Sequence, residues 1–263
     1  MKRAITGLMT IVVVLSMVCV SQGAVVFQMD FNDADGNQSL LDRGTTGVTG
    51  TFTGNATYST TVPSVNRGGY SGSFDGSSGA ADFGDIDALD GLTTMTITAW
   101  IRMTSAGQNG GGRIVNKRSS NGPELYYNSE LEFVANTSPV ANGGGAIGFG
   151  GWKFVAVTYD GSTATFYTGD GTTLSEADAD PTANGALTAN ANALLIGNHS
   201  GGARTFDGLI DNLRIYNSIE DAASLTNIMQ FDDTVVELIN DDFSSSTTVV
   251  DSRFNKGDID TDT

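Results

Sequence analysis

Gly151-Trp152-Lys153-Phe154-Val155-Ala156-Val157-Thr158-Tyr159-Asp160-Gly161 is the stretch on which the fold of this chain turns. Trp152–Tyr159 is apolar on both alternating sets of positions, the pattern of a strand covered on both faces. Asp160-Gly161 then supplies the residue pair of a tight turn, and Ala164–Thr168 resumes the extended pattern, so the segment predicts a β-hairpin. Upstream, Met95–Met103 (MTITAWIRM) alternates with period two. Met95, Ile97, Ala99, Ile101 and Met103 lie on one face, and Thr96, Thr98, Trp100 and Arg102 on the other.

The same pattern recurs along the chain in short pieces. Ala24–Phe31, Val48–Phe52, Gly72–Phe74, Arg113–Lys117, Leu125–Tyr127, Leu131–Val134, Ala146–Phe149, Leu194–Ile196 and Gly208–Tyr216 are strand candidates separated by Gly, Asn, Ser, Asp and Pro. Many short strands with turn residues between them predict an all-β sandwich or barrel. One helix is expected near the end. Ser218 and Asp221 suit a capping box, and Ile219, Ala222, Ala223, Leu225, Ile228 and Met229 form an apolar stripe at helical spacing.

Composition narrows the function. Thirteen Lys+Arg against 30 Asp+Glu give the 263-residue chain a net charge of −17, which repels a phosphate backbone and argues against nucleic-acid binding. One Cys and one His exclude a disulfide framework, a cysteine-rich metal cluster and a multi-histidine zinc centre. At the N-terminus, Lys2 and Arg3 precede an apolar run over Ile11–Val20, and Ser21 and Gly23 follow as small residues. Residues 1–23 therefore read as a secretory signal peptide rather than a transmembrane anchor. Cleavage there would remove the lone Cys19 and two basic residues. The remaining 11 basic and 30 acidic residues would carry a net charge of −19. A disulfide-free exported or cell-surface protein of this kind suits a bacterium. Residues 24–232 form the expected domain. Residues 233–263 read as an acidic tail or the start of a second domain cut short.

Five pieces, in order, carry a family resemblance. They are Ser73-Phe74-Asp75-Gly76, Thr96–Ile101, Gly151–Gly161, Leu195-Ile196-Gly197 and Phe206–Tyr216 (FDGLIDNLRIY). Together they resemble LamG-like jelly-roll domains of the concanavalin A-like lectin/glucanase superfamily. The resemblance implies two antiparallel sheets stacked as a jelly-roll sandwich, followed by one short C-terminal helix. It also implies sugar binding or adhesion more often than catalysis.

Glycosidases of that superfamily use acidic residues alternating along one strand. Glu130 and Glu132 would share a strand face, but the further acids and a nearby Trp are missing. Glu176, Asp178 and Asp180 read as a solvated loop, and His199 as a turn residue. No catalytic residue is expected. Calcium is the more natural ion for a chain rich in carboxylates. Asp211 interrupts an apolar strand on the face of Leu209, Leu213 and Ile215, and Asp30 and Asp75 are its candidate co-ligands. The alternatives for Asp211 are an Arg partner, such as Arg204 or Arg102, or bonds to backbone amides. For a ligand, Tyr126 or Tyr127 should face solvent, with Arg113, Asn116 and Arg118 supplying polar contacts. The expected function is a non-catalytic exported module that binds carbohydrate or a cell-surface partner. Its alternatives are a structural or adhesive spacer and, further off, a glycoside hydrolase.

Overall fold

The computed structural model describes residues 23–33, 39–65, 68–118, 121–137, 140–181 and 185–230, all within the unit Met1–Asp232. The expected signal peptide, most of the acidic turn at 33–37 and the segment 233–263 lie outside the described residues.

Among the described residues, sixteen strands run in the order β1 (Val25–Met29), β2 (Ser39–Leu41), β3 (Thr49–Thr53), β4 (Thr57–Ser59), β5 (Ser71–Asp75), β6 (Ala80–Asp85), β7 (Met95–Met103), β8 (Gly112–Asn116), β9 (Glu124–Tyr127), β10 (Leu131–Val134), β11 (Ala141–Asn142), β12 (Lys153–Tyr159), β13 (Thr163–Gly169), β14 (Leu174–Pro181), β15 (Ala193–Ile196) and β16 (Asp207–Tyr216). Helix α1 (Ala222–Gln230) follows. The strands form two eight-stranded antiparallel sheets. The first has the order β14-β13-β12-β7-β16-β5-β4, with β1 pairing the second half of β16. The second has the order β11-β10-β9-β8-β15-β6-β3-β2. This is the two-sheet jelly-roll sandwich that the resemblance implied.

The expected hairpin is β12–β13. Asp160 Oδ1 accepts the Ser162 and Thr163 amides at 2.8 and 2.7 Å, and these amides hold its pKa below the usual carboxylate range. Strand β12 is covered on both faces, as its composition requires. Val155 and Val157 join the core between the sheets, while Phe154 and Ala156 join a second apolar layer outside. Helix α1 closes that outer layer with Leu225, Ile228 and Met229 against Trp100, Phe154 and Tyr216. Burying three such side chains contributes roughly 5–8 kcal/mol. Such burial is what holds a nine-residue helix that would be marginal alone. Its cap is Asp221, not Ser218. Asp221 Oδ1 accepts the Ser224 amide at 2.7 Å, whereas the Ser218 hydroxyl bonds Glu220.

Strands β2, β4, β6 and β11 arise where no strand was expected, and three further segments also depart from the expectation. Residues 174–181 form strand β14 rather than a loop; its main chain pairs with β13 while almost every side chain stays exposed. Ala146–Phe149 joins no ladder and instead belongs to a glycine-rich crossing between the sheets, with Phe149 54% exposed. In β16 the register shifts between Asp211 and Arg214, and Asn212 takes φ +46°. That bulge inverts the alternation. Ile210, Leu213 and Ile215 face the core, while Asp211 lies opposite Trp100 on the outer side of the sheet. Asp211 therefore does not interrupt the core face, as simple alternation implied.

Candidate functional site

Strand β9 turns Leu125 and Tyr127 into the core and places Glu124 and Tyr126 on the outer face of the second sheet. Across β10, Glu132 lies opposite Tyr126. Across β8, Arg113 lies opposite Tyr126 and Asn116 opposite Glu124. A register shift between Arg113 and Val115 brings both residues to the same side although they are three apart in sequence.

The face is a charge-balanced network. Glu124 Oε1 accepts Arg113 Nε at 2.5 Å and Asn116 Nδ2 at 3.0 Å, and its Oε2 accepts Arg118 Nη1 at 3.1 Å. A buried carboxylate needs such partners. Arg113 Nη1 also donates to Gly111 O at 2.8 Å, and Arg118 Nε to Asn136 O at 3.1 Å. The Arg113 guanidinium carbon lies 4.0 Å from the centre of the Tyr126 ring, a cation–π arrangement. The Tyr126 hydroxyl donates to the Glu132 carboxylate. Burial, and then that carboxylate, push the phenol pKa well above its ordinary value. Asn116 Oδ1 is buried and has no hydrogen-bond partner. Nearby, His199 Nδ1 accepts the Gly201 amide at 2.6 Å. Burial, and then the Arg113 charge, hold this imidazole below its ordinary pKa.

The structure thus brings Arg113, Asn116 and Tyr126 together and separates Tyr127 from them. Tyr127 is 3% exposed and its hydroxyl donates to Ser129 O at 3.0 Å. Neither tyrosine faces solvent as expected, because Tyr126 is 8% exposed beneath Arg113. Glu124, the centre of the network, escaped the sequence reading. The alternation Glu124-Leu125-Tyr126-Tyr127 is the signal that would have found it.

Glu130 and Glu132 do not share a strand face. Glu130 lies in the β9–β10 turn, where Asn128 N donates to its carbonyl at 2.9 Å, and only Glu132 is on β10. The three proposed calcium ligands also stay apart. Asp30 pairs with Arg43 at 2.8 Å. Asp75 closes an exposed turn. The Ser78 amide first, then the Asn55 side chain, hold its carboxyl well below the usual range. Asp211 is fully buried, and its Oδ1 accepts the Asn212 amide at 2.8 Å, so the backbone-amide alternative describes this contact. Arg102 Nε and Arg204 Nη1 donate instead to Gly150 O and Asn109 O. Among the described residues, the acids that converge are Asp85, Asp87 and Asp90. Their counter-charge is Lys117, which is 0% exposed. Its Nζ lies 2.7 Å from Asp85 Oδ1, 3.2 Å from Asp90 Oδ1 and 2.8 Å from Asn190 O.

Among the described residues, no helix is long and apolar enough to cross a membrane. A comparison with curated proteins finds no match. Among solved structures, domain 4 of AbnA, a GH43 extracellular arabinanase from Geobacillus stearothermophilus in complex with arabinotriose, is similar over 80% of this chain and 100% of its own. The TM-score is 0.62 at 18% identity. The binding domain of botulinum neurotoxin DC in complex with SialylT aligns over 78% of this chain and 51% of its own, with a TM-score of 0.59 at 12% identity. The binding domain of paraclostridial mosquitocidal protein 1 aligns over 78% and 52%, with a TM-score of 0.57 at 13% identity. The chain spans about half the length of these two toxin domains. At such identities the likeness concerns the fold. A family model described as the concanavalin A-like lectin/glucanases superfamily matches residues 75–225, more than half of the sequence. That match spans the core strands of both sheets, and the chain belongs to the concanavalin A-like lectin/glucanases superfamily.

Proposed function

We propose that this protein is a non-catalytic carbohydrate-binding module of an exported protein, and that the outer face of β8–β10 contacts the sugar. The observation that carries this reading is the buried Asn116 Oδ1. It is an acceptor without a partner, set among the donors of Arg113 and Arg118. A sugar hydroxyl both donates and accepts, so one admitted as the partly exposed Arg118 side chain moves aside would satisfy that acceptor and remain bonded to its surroundings. The arabinotriose bound to the arabinanase domain and the SialylT of the toxin complex support saccharide as the ligand class. Export rests on the sequence of residues 1–23, and an extracellular arabinanase among the neighbours agrees with it. The separation of Glu130 from the strand and the engagement of Glu132 by Tyr126 support a non-catalytic role.

A structural or adhesive spacer is the second reading, favoured by the covered Tyr126 ring, which offers no open stacking platform. Glycan-array and insoluble-polysaccharide binding decide between them. Binding by the wild type, lost in Asn116→Leu with a retained thermal transition, supports the module. No binding across neutral and acidic glycans refutes it in favour of the spacer.

A further inference from the structure

The geometry points to a second ligand site, separate from the β8–β10 face: a cleft for a neutral saccharide beneath the glycine run Gly143–Gly148. It shares the ligand class of the proposed function but none of its residues. The cleft has a volume of about 590 Å³ and lies between this run and the ends of β12, β13 and β14. Strand parity explains why it exists. Lys153 shares a side of β12 with the core residues Val155 and Val157, and Thr168 shares a side of β13 with Phe166. Ser175 lies opposite Thr168. These three positions are thus inward-pointing, where a sandwich calls for apolar side chains, yet all three are polar. The layer facing them is a glycine run, which has almost no side chains with which to fill the space.

The chemistry of the lining matches polyhydroxylated ligands. Both ends of the run are pinned, with Gly143 N donating to Leu131 O and Gly150 N to Met103 O, each at 2.8 Å. Between them the amides of residues 144–148 donate to no protein acceptor among the described residues. Among the described residues Lys153 makes no ion pair, whereas Arg43, Arg113, Lys117 and Arg118 all do. Asp170 lines the cleft, and its Oδ1 accepts the Thr172 and Thr173 amides at 3.0 and 2.9 Å. Donors from amides and an ammonium, an acceptor carboxylate and flanking hydroxyls are what a sugar's hydroxyl pairs require. Lys153 and Asp170 balance locally, and the net charge of −17 disfavours an anionic ligand.

Gly148 supplies a clean test, because a Cβ there would meet no atom within 4 Å and its φ lies outside the left-handed range. Gly148→Trp should fill the cleft and leave the fold intact. In ¹⁵N-labelled protein, arabinotriose or maltotriose should shift the amides of residues 143–148 saturably. Gly148→Trp should abolish those shifts without changing Tm, and Lys153→Met should weaken the affinity about tenfold, the effect of losing a charged hydrogen bond. Shifts confined to β8–β10 would overturn the cleft while upholding the proposed function. Tighter binding of trigalacturonate than of either neutral sugar would overturn the ligand class. The absence of any shift at residues 143–148 with either neutral sugar would overturn the inference whatever the glycan array shows.

Discussion

Lys117→Met should destabilise the protein and make it responsive to calcium. Methionine keeps the buried stem but removes an ammonium that is 0% exposed and holds Asp85, Asp90 and the Asn190 carbonyl. Breaking a buried ion pair by deleting one partner costs about 3–5 kcal/mol when the other charge stays buried. Here the side chains of Asp85 and Asp90 are 34% and 20% exposed and can recover hydration, but the carbonyl is left without its donor. The expected loss is therefore at the low end, about 3 kcal/mol. For a domain of this size that lowers Tm by roughly 6–12 °C. The substitution also leaves Asp85, Asp87 and Asp90 with ligand atoms within 4.8 Å of one another and no counter-charge. Calcium at ten times its dissociation constant should then restore about 1.4 kcal/mol, or roughly 3–6 °C. Calorimetry of both proteins with Ca²⁺ and with EDTA provides the measurement. A variant within about 1 kcal/mol of wild type would refute the role assigned to the ammonium. A calcium-induced rise as large in wild type as in the variant would refute the idea that Lys117 takes the place of a cation.

His199 is the single histidine, so its imidazole signals are unambiguous by NMR. It should titrate below the ordinary imidazole value of 6.5, because burial and then Arg113 disfavour the charged form. A folded pKa below the unfolded one means that this stability is complete above pH 6.5 and is lost as pH falls through the folded value; His199→Gln should flatten the pH dependence of Tm in that window, and a folded value above 6.5 would contradict the geometry. At the β16 bulge, Asn212→Gly should be near neutral, while Asn212→Val should cost about 1–3 kcal/mol in urea unfolding, since φ +46° excludes a β-branched side chain.

Most strands were legible because burial writes a local period into each of them. Met95–Met103 and Trp152–Tyr159 announce their pairing partners' environment without knowledge of the partners. Where a strand buries little, that signal fades. Leu174–Pro181 looks like a loop because main-chain pairing with β13, not an apolar face, makes it a strand. Ala146–Phe149 has the opposite fault, an apolar stretch that no neighbouring strand pairs with. A single extra residue at Asn212 reversed the face of Asp211, and a period of two carries no warning of that.

By itself, then, the sequence determined an all-β sandwich or barrel, its central hairpin and a helix near the end, since each depends on patterns within about ten residues, while the two antiparallel sheets of a jelly roll were what the family resemblance implied. The tertiary structure alone decided which polar groups meet. Arg113, Glu124 and Glu132 come from three strands, and Lys117 reaches Asp85 and Asp90 across register contacts that no local pattern encodes. The cleft beside Lys153 exists only because a glycine run, rather than another strand, packs opposite an inward-facing lysine.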